Sequence, residues 1–299
     1  MAQENSFREN LKKEAALQKE QRNTKLQSNG TLADFFLEEF LPMDLHIHTV
    51  ASGHGSMDTI TDLAKAGAER HMLCLGISDH GPATPGSCEE PYFRSLKMAP
   101  QKRAGIRLLY GVEANILDEN GRLDLRTDTL KGLDYCIASI HPKSFQSPFY
   151  HRQSFWNHKQ VTEDVEKARH SNTQAYIRAM ENPYVRILGH PDDTHYPVEE
   201  EALVEACVRY HVILEVNEAS LSPEGYRGDT RPVITGLLKL CLEKNHPILV
   251  SSDSHGAKGV GKAPLSKVLL SELSFPKELI VNTWTVERFL QFGQSGKRE

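Results

Sequence analysis

The stretch MDLHIHTVASGHG at residues 43–55 crowds three histidines, His46, His48 and His54, into nine residues. If its first half is a β-strand, His46 and His48 lie on the same face with their Cα atoms about 6.5 Å apart. Two imidazoles placed in this way can bind one cation through N–metal bonds of about 2.0–2.1 Å. The spacing therefore predicts a metal site on a strand, because the helical H-E-x-x-H pattern would place its histidines four residues apart.

Residues that can bind a metal recur at the end of each apolar, strand-like run. The runs are 43–48, 73–79, 106–113, 134–140, 185–189, 212–217 and 247–252. Together with the loop residue His54, the candidate ligands are His46, His48, His80, Glu113, His141, His190, Asp253 and His255. A tetrahedral zinc needs three or four ligands, so nine candidates indicate more than one metal.

The chemistry of these ligands narrows the choice of metal. Imidazole combined with carboxylate suits zinc, manganese or iron, and no CxxC pair offers a thiolate cluster. Where two or three cations lie close together, Glu113 is expected to bridge, since a carboxylate can give one oxygen to each. Asp253 and His255 repeat the two-residue spacing of the first pair, and the sixth run ends in Glu215 and Asn217.

The runs alternate with helix-like stretches such as TITDLAKAGAERH and RPVITGLLKLCLEKN. Strands that alternate with helices indicate βαβ units and a mainly parallel sheet. Seven such units fit a closed or nearly closed barrel better than an open doubly wound sheet, which stays the alternative. In a barrel all strand C-termini emerge on one face, so the candidate ligands would gather there.

Two segments depart from this alternation. Residues 1–42 are expected to form a polar, helical or partly disordered extension that ends in a short amphipathic helix over TLADFFLEEFLP. The domain itself would span 43–299. A long inserted loop at about 144–173 is rich in aromatic residues. It is expected to be either a binding loop or lid, or a surface excursion that packs its own aromatic side chains.

The overall composition sets limits on location and partners. The 299 residues are 25% charged and 39% hydrophobic with a net charge of −5, so no basic field points to nucleic acid or an anionic membrane. Five scattered cysteines fit reduced thiols better than disulfides. No signal-peptide core and no 18-residue apolar span is found in the sequence. We therefore expect a cytoplasmic protein without membrane contact.

Several separated motifs resemble those of one known family. In chain order, DLHIHT, SDHG, GVEAN, SIH, GHPDD and SDSH resemble the polymerase and histidinol phosphatase (PHP) superfamily. The likeness covers residues 43 to about 292 and is strongest to its small stand-alone bacterial phosphatases. It implies a distorted (β/α)7 TIM-like barrel of parallel strands, with a trinuclear metal centre at the strand C-termini. The polymerase domains of other members are absent from the pattern, so a free-standing enzyme is expected.

The resemblance also implies how the ligands would divide among two to three divalent ions of zinc, manganese or iron. The first group is His46, His48, Glu113 and Asp253, the second is Glu113, His141 and His190, and the third is His54, His80 and His255.

These motifs lead to the hypothesis that the chain hydrolyses phosphomonoesters of small phosphorylated substrates. Cations lower the pKa of bound water to about 7, so a metal-bound hydroxide would attack phosphorus in line near neutral pH. The candidate catalytic residues are His190, His255 and Asp253. Either histidine, where a metal does not fully engage it, would protonate the leaving oxygen.

Cationic side chains near the strand ends are candidates for binding the phosphate. Arg227 and Arg231 lie in SPEGYRGDTRP after the sixth run, and Lys143 follows the fourth. A planar guanidinium can bind phosphate through two parallel hydrogen bonds. The carboxylates expected to orient histidines are Asp44, Asp79 and Asp192.

Two other functions stay open at this point. A phosphodiesterase, exonuclease or nucleotide phosphatase acting on terminal nucleotides would stack bases on the aromatic 144–173 loop, with nucleic acid as substrate only. A non-catalytic metal-binding or sensor module would hold metal without turnover. Amide or lactone hydrolysis is disfavoured, because no strand-like run ends in a lysine that could form a bridging carbamate.

Overall fold

The computed structural model describes residues 35–36, 38–150 and 164–293. Most of the predicted N-terminal extension and the middle of the predicted 144–173 loop, including Phe155 and Trp156, lie outside these ranges.

Nine β-strands form two sheets in the described residues. They are β1 (Met43–Ile47), β2 (Cys74–Ile77), β3 (Lys102–Arg103), β4 (Ile106–Tyr110), β5 (Glu113–Asn115), β6 (Cys136–Ser139), β7 (Val185–Leu188), β8 (Ile213–Asn217) and β9 (Ile248–Ser251). Each of the seven predicted runs contains one of these strands. The third run, 106–113, contains β4 and also reaches Glu113, the first residue of β5.

The α-helices described are α1 (Ile60–Glu69), α2 (Glu90–Leu96), α3 (Thr127–Leu130), α4 (Val165–Met180), α5 (Glu200–Tyr210), α6 (Arg231–Glu243), α7 (Pro264–Glu272) and α8 (Val286–Gln291). Helix α1 starts in a capping box, in which the Thr59 hydroxyl accepts from Asp62 N–H and the Asp62 carboxylate accepts from Thr59 N–H. Across the described ranges, none of the helices is long and apolar enough to cross a membrane.

The sheets are parallel apart from one short edge. The first has the order β1-β2-β4-β3, with β3 antiparallel to β4, and the second has the order β5-β6-β7-β8-β9. Single bridges, between Ile47 and Ser254 and between His80 and Glu113, link the sheets. The α/β class with parallel strands is therefore confirmed. In the ranges described, however, no continuous ladder closes the two sheets into the predicted (β/α)7 barrel.

The break between β4 and β5 falls beside a buried tyrosine. The Tyr135 hydroxyl donates to the carbonyl of Leu45 at 2.7 Å, so the ring lies between strands of the two sheets. A Cβ at Gly111, directly after β4, would lie 2.5 Å from that ring, and one at Gly76 would lie 2.2 Å from its hydroxyl. Glycine at both positions makes room for the ring, and the hydrophobic pattern of the third run gives no sign of this packing.

The strands carry an apolar interior that turns polar at their C-terminal ends. One buried cluster takes alternate residues from the strands, including Met43, Leu45, Ile213 and Leu249, and packs with Phe289 of α8. Because side chains two apart share a face, Glu215 and Asn217 after Ile213, and Ser251 after Leu249, extend the same interior surface. A larger cluster fills the space between the sheets and the surrounding helices.

The domain begins before residue 43. Phe35 and Leu41 are buried in the larger core cluster, and Leu41 N–H donates to the Gly261 carbonyl at 2.7 Å. The C-terminal part of the predicted extension, which includes Phe35 and Leu41, is thus packed against the rest of the domain.

The predicted loop at 144–173 does not reach its predicted C-terminal end. Helix α4 begins at Val165, where the Asp164 side chain accepts from Lys167 N–H as an N-cap, so the prediction of a loop up to residue 173 is wrong. The described aromatic residues at the start of the loop pack inward. Phe145 and Tyr150 are buried, and Phe145 makes edge contacts with Tyr150 and Tyr196.

Candidate metal centre

The strand ends bring the predicted ligands into one cluster. The pairing of β1 with β2 is irregular between Asp44 and Ile47. His46 and His48 follow this irregularity on the same side, with ring centroids 5.0 Å apart. Both are fully buried, so their imidazoles face other side chains and not solvent.

Glu113, the first residue of β5, lies at the centre of the cluster. Its Oε1 is 2.8 Å from His190 Nε2, 3.2 Å from His141 Nε2 and 3.4 Å from His46 Nε2. Its other oxygen lies 2.5 Å from His80 Nδ1. One carboxylate therefore contacts imidazoles from four different strand ends, as expected of a bridging ligand.

Asp253 organises the side of the cluster that is next to β9. Its Oδ1 lies 3.1 Å from His48 Nε2, and its Oδ2 accepts from Arg227 Nη2 at 3.0 Å and from Asn217 Nδ2 at 3.1 Å. Asp253 has φ +52° and His190 has φ +29°, a left-handed conformation that is uncommon outside glycine. Such strain collects at functional sites, where the surrounding structure holds it in place.

The remaining histidines stack on one another at the edge of the cluster. His48 lies 4.1 Å from His255 and 4.3 Å from His80, measured between ring centroids. His54, from the loop after β1, lies 4.9 Å from His80 and 5.1 Å from His255. All nine predicted ligands thus meet at one site.

The electrostatics of the cluster keep its carboxylates ionised and act differently on its imidazoles. Burial lowers the pKa of His46, but the carboxylates, Glu215 first, outweigh it and leave that pKa well above its ordinary value. Burial, reinforced by neighbouring imidazoles, holds the pKa of His48 well below its ordinary value and lowers the pKa of His54 to about 4. Burial raises the pKa of Glu113, but the imidazoles, His141 first, outweigh it and leave that pKa well below its ordinary value. Neutral imidazoles and ionised carboxylates are the forms that bind a metal.

Two histidines have a carboxylate next to the ring nitrogen that points away from the centre of the cluster, one in direct contact and the other through a hydroxyl. His46 Nδ1 lies 2.6 Å from the buried Glu215 carboxylate. His48 Nδ1 lies 3.0 Å from the Ser52 hydroxyl, which donates to Asp79. Such contacts fix the tautomer and orientation of a ligating imidazole. Glu215 was missed as a site residue, although its place at the end of the sixth run was a signal.

The other two predicted orienting carboxylates have different surroundings. Asp44 accepts from the backbone N–H groups of Ser252 and Gly261 and thereby holds the segment after β9. Both carboxylate oxygens of Asp192 are buried without a hydrogen-bond partner, and burial raises its pKa to about 7. Neither carboxylate contacts an imidazole side chain among the described residues.

The donor atoms fit divalent cations. Six are buried atoms that make no hydrogen bond of good geometry, although some lie close to one another, such as His80 Nδ1 and Glu113 Oε2 at 2.5 Å; they are His46 Nε2, His80 Nδ1, Glu113 Oε2, His141 Nε2, His190 Nδ1 and His255 Nε2. Buried polar atoms of this kind require an explanation, and a bound ion is one. Three overlapping triads have ligand atoms within 4.8 Å of one another: His46, His48 and Asp253; His80, Glu113 and His141; and His48, His80 and His255.

The cluster opens into a cavity of about 630 Å³. The cavity lining includes His54, His80, His141, Lys143, Arg227, Asp253 and His255. Of the predicted phosphate-binding residues, Arg227 and Lys143 are therefore in place. Arg231 is not, because it starts α6 on the surface and its guanidinium lies 2.5 Å from the carboxylate of Glu272.

Comparisons with known proteins agree with the motifs. A family model described as the PHP domain matches residues 44–219. A probable phosphatase from Caldanaerobacter subterraneus is 37% identical over 86% of this chain and 93% of its own length. A probable phosphatase from Caldicellulosiruptor bescii is 34% identical over 85% of this chain and 95% of its own. The predicted family and the predicted enzyme class, a hydrolase of the phosphatase type, are confirmed.

Two solved structures share the fold at low identity. Histidinol phosphate phosphatase from Lactococcus lactis, complexed with zinc, L-histidinol and phosphate, gives a TM-score of 0.52 at 16% identity, covering 77% of this chain and 91% of that one. A structure from Listeria monocytogenes gives 0.53 at 18% identity, covering 73% and 97%. With its motifs, matched domain and fold in agreement, the chain belongs to the PHP domain family.

Proposed function

We propose that the chain is a phosphomonoesterase that holds two to three divalent cations, of zinc, manganese or iron, and acts on a small phosphorylated substrate. The observation that carries this proposal is the set of three overlapping triads of buried imidazole and carboxylate atoms beside a cavity. The names of relatives that are 34–37% identical, each a probable phosphatase, support it.

The cations would be held by the nine clustered ligands, in the grouping expected from the motifs. Bound divalent cations supply Lewis acidity to phosphoryl oxygens and lower the pKa of water to about 7. Glu113 would be shared between two cations, since its two oxygens contact different imidazoles. The carboxylates of Glu113 and Asp253 also balance part of the cationic charge.

The chain's own residues would bind and orient the substrate. The guanidinium of Arg227 is fixed by Asp253, Asn217 and Ser220, so it would meet a phosphate without losing side-chain freedom. Lys143 would add a second positive charge at the cavity wall. His255 lines the cavity and His190 does not, so we assign proton delivery to the leaving oxygen, from Nε2, to His255 in the two-cation state. His190 is assigned as a ligand.

Replacing Arg227 by lysine is expected to raise KM for a phosphomonoester by roughly tenfold or more, because lysine keeps the charge but loses the two-pronged hydrogen bonding. Steady-state kinetics on an aryl phosphate would measure this. Arg231→Lys is the matched control, since Arg231 lies outside the cavity, and its KM should stay at the wild-type value. Equal effects of the two substitutions would remove Arg227 from the substrate site.

A substrate panel with added manganese or zinc tests the proposed reaction. It should contain aryl phosphates, phosphorylated metabolites, 3′- and 5′-nucleotides and short oligonucleotides. We expect turnover of monoesters that a chelator abolishes and added metal restores. Activity on terminal nucleotides with none on simple monoesters would instead favour the phosphodiesterase or exonuclease. Bound metal without any turnover would favour the binding module.

A further inference from the structure

The clustered imidazoles differ in what their second nitrogen contacts. His46 Nδ1 faces the Glu215 carboxylate at 2.6 Å, whereas His141 Nδ1 faces Oδ1 of Asn115, a neutral amide, at 2.8 Å. An anionic partner stabilises the positive charge that develops on an imidazole when its other nitrogen binds a cation. A neutral partner does so less, and partners of this kind tune the basicity of a ligating histidine.

Asn115 is held in one orientation by a buried carboxylate. Its Nδ2 donates to Asp124 Oδ2 at 2.6 Å, and its backbone N–H donates to Asp124 Oδ1 at 3.0 Å. A flipped amide would set Oδ1 against that carboxylate, so Oδ1 must face His141. The amide oxygen can only accept, so His141 carries its proton on Nδ1. Its Nε2 lone pair is then directed to Glu113, 3.2 Å away.

The acceptor strength of Asn115 is divided among several donors. Besides His141, its Oδ1 lies 2.8 Å from the Ser144 hydroxyl and 3.1 Å from the Thr84 hydroxyl. An amide oxygen has two lone pairs, so three donors share them. Less negative charge is available to His141 than an unshared acceptor would give.

On the side of the cluster that contains His46, a carboxylate contacts a candidate ligand directly. The triad of His46, His48 and Asp253 has the Glu215 carboxylate in direct contact with its first histidine. The neutral Ser52 hydroxyl lies between its second histidine and Asp79, as Asn115 lies between His141 and Asp124, so the difference rests on Glu215. The triad of His80, Glu113 and His141 has the neutral Asn115 behind His141. The two triads thus differ in the charge that backs their imidazoles.

Building on the proposed function, we propose that the cation subsite at Glu113 and His141 is of lower affinity than the subsite at His46 and Asp253, with Asn115 as the positioning residue that sets this difference. Asp124 acts through Asn115. The wild-type chain binds its cations in two affinity classes, and partial loading fills the subsite at His46 first.

A charge exchange between Asn115 and Asp124 tests this inference on the full-length chain. The double variant Asn115→Asp/Asp124→Asn keeps the net charge and the shapes of both side chains but places the carboxylate against His141. Mn²⁺ binding would be measured by competition with a chelating dye, independently of activity. We expect the weaker class to tighten by about tenfold or more while the tighter class is unchanged. Ala83 N–H, which donates to Asp124, loses its acceptor, so a small decrease in Tm is expected.

Two single substitutions address the two classes separately. Asn115→Leu should weaken the weaker class by about 10–100-fold, and Glu215→Gln should weaken the tighter class by a similar factor. Asn172→Leu is the matched control, because Asn172 is equally buried and donates to the Tyr150 hydroxyl and the Pro197 carbonyl, away from the histidines. It should leave both classes unchanged.

The results separate this inference from the proposed function. If the Mn²⁺ affinities of the two classes change as expected but the protein has no phosphatase activity, the function is overturned and the inference is supported. If the protein is an active phosphatase but the Mn²⁺ affinities of the two classes do not change, or change together in all variants, the function is supported and the inference is overturned.

Discussion

Glutamine in place of Glu113 is expected to reduce kcat for a phosphomonoester by about a thousandfold or more. The carboxylate contacts imidazoles from several strand ends, and an amide at this position can give only one acceptor oxygen. Losing a shared ligand removes several kcal/mol of charge stabilisation, and about 4 kcal/mol corresponds to roughly a thousandfold in rate. Steady-state kinetics at saturating manganese would measure the effect, with bound metal counted on the same samples.

The control for this substitution is Glu287→Gln. Glu287 is exposed and pairs with Arg107 on the surface, so kcat and metal content should stay at wild-type values. Wild-type kcat in Glu113→Gln with a full metal complement would show that Glu113 is neither a ligand nor a catalytic group.

Asparagine in place of Asp253 is expected to reduce kcat by about a hundredfold or more, and also to lower stability. Asp253 contacts His48 and neutralises the buried Arg227. Asparagine tolerates the left-handed backbone at this position, with φ +52°, so the change tests charge and not conformation. An uncompensated buried arginine typically costs about 3–5 kcal/mol, so Tm should fall as well.

A double variant separates the two effects of this substitution. Arg227→Gln combined with Asp253→Asn removes both charges of the pair and should recover much of the lost Tm. Activity should stay low, because the ligand and the phosphate-binding guanidinium are both gone. Recovery of kcat together with Tm would contradict a direct role of Asp253 and would reduce it to a structural partner of Arg227.

The sequence was most informative where a residue's position in a strand decides its direction. His46 and His48 were placed on one face by the two-residue strand repeat alone, and their rings do meet. The polar ends of the parallel runs gathered as expected, since parallel strands end on one side. The roles of these residues rest on the resemblance and stay proposals.

Packing between distant segments could not be predicted in the same way. Arg227 and Arg231 are only four residues apart, and the sequence predicted the same phosphate-binding role for both. The turn before α6 directs the first to Asp253, while the second pairs with Glu272 on the surface. The space that Tyr135 occupies beside Gly111 has no local pattern either.

A buried carboxylate in a strand was also hard to interpret from the sequence. Glu215 ends the sixth run, but its partner is His46, 169 residues away in the chain. Only the fold shows that the carboxylate lies behind the imidazole.

The metal content of the purified protein tests the central claim most directly. Protein loaded with manganese or zinc, freed of unbound ions by gel filtration and measured by elemental analysis, should carry two to three moles of metal per mole of chain. His46→Ala, prepared in parallel, should carry at least one mole less. One mole or none in the wild-type protein would contradict the account.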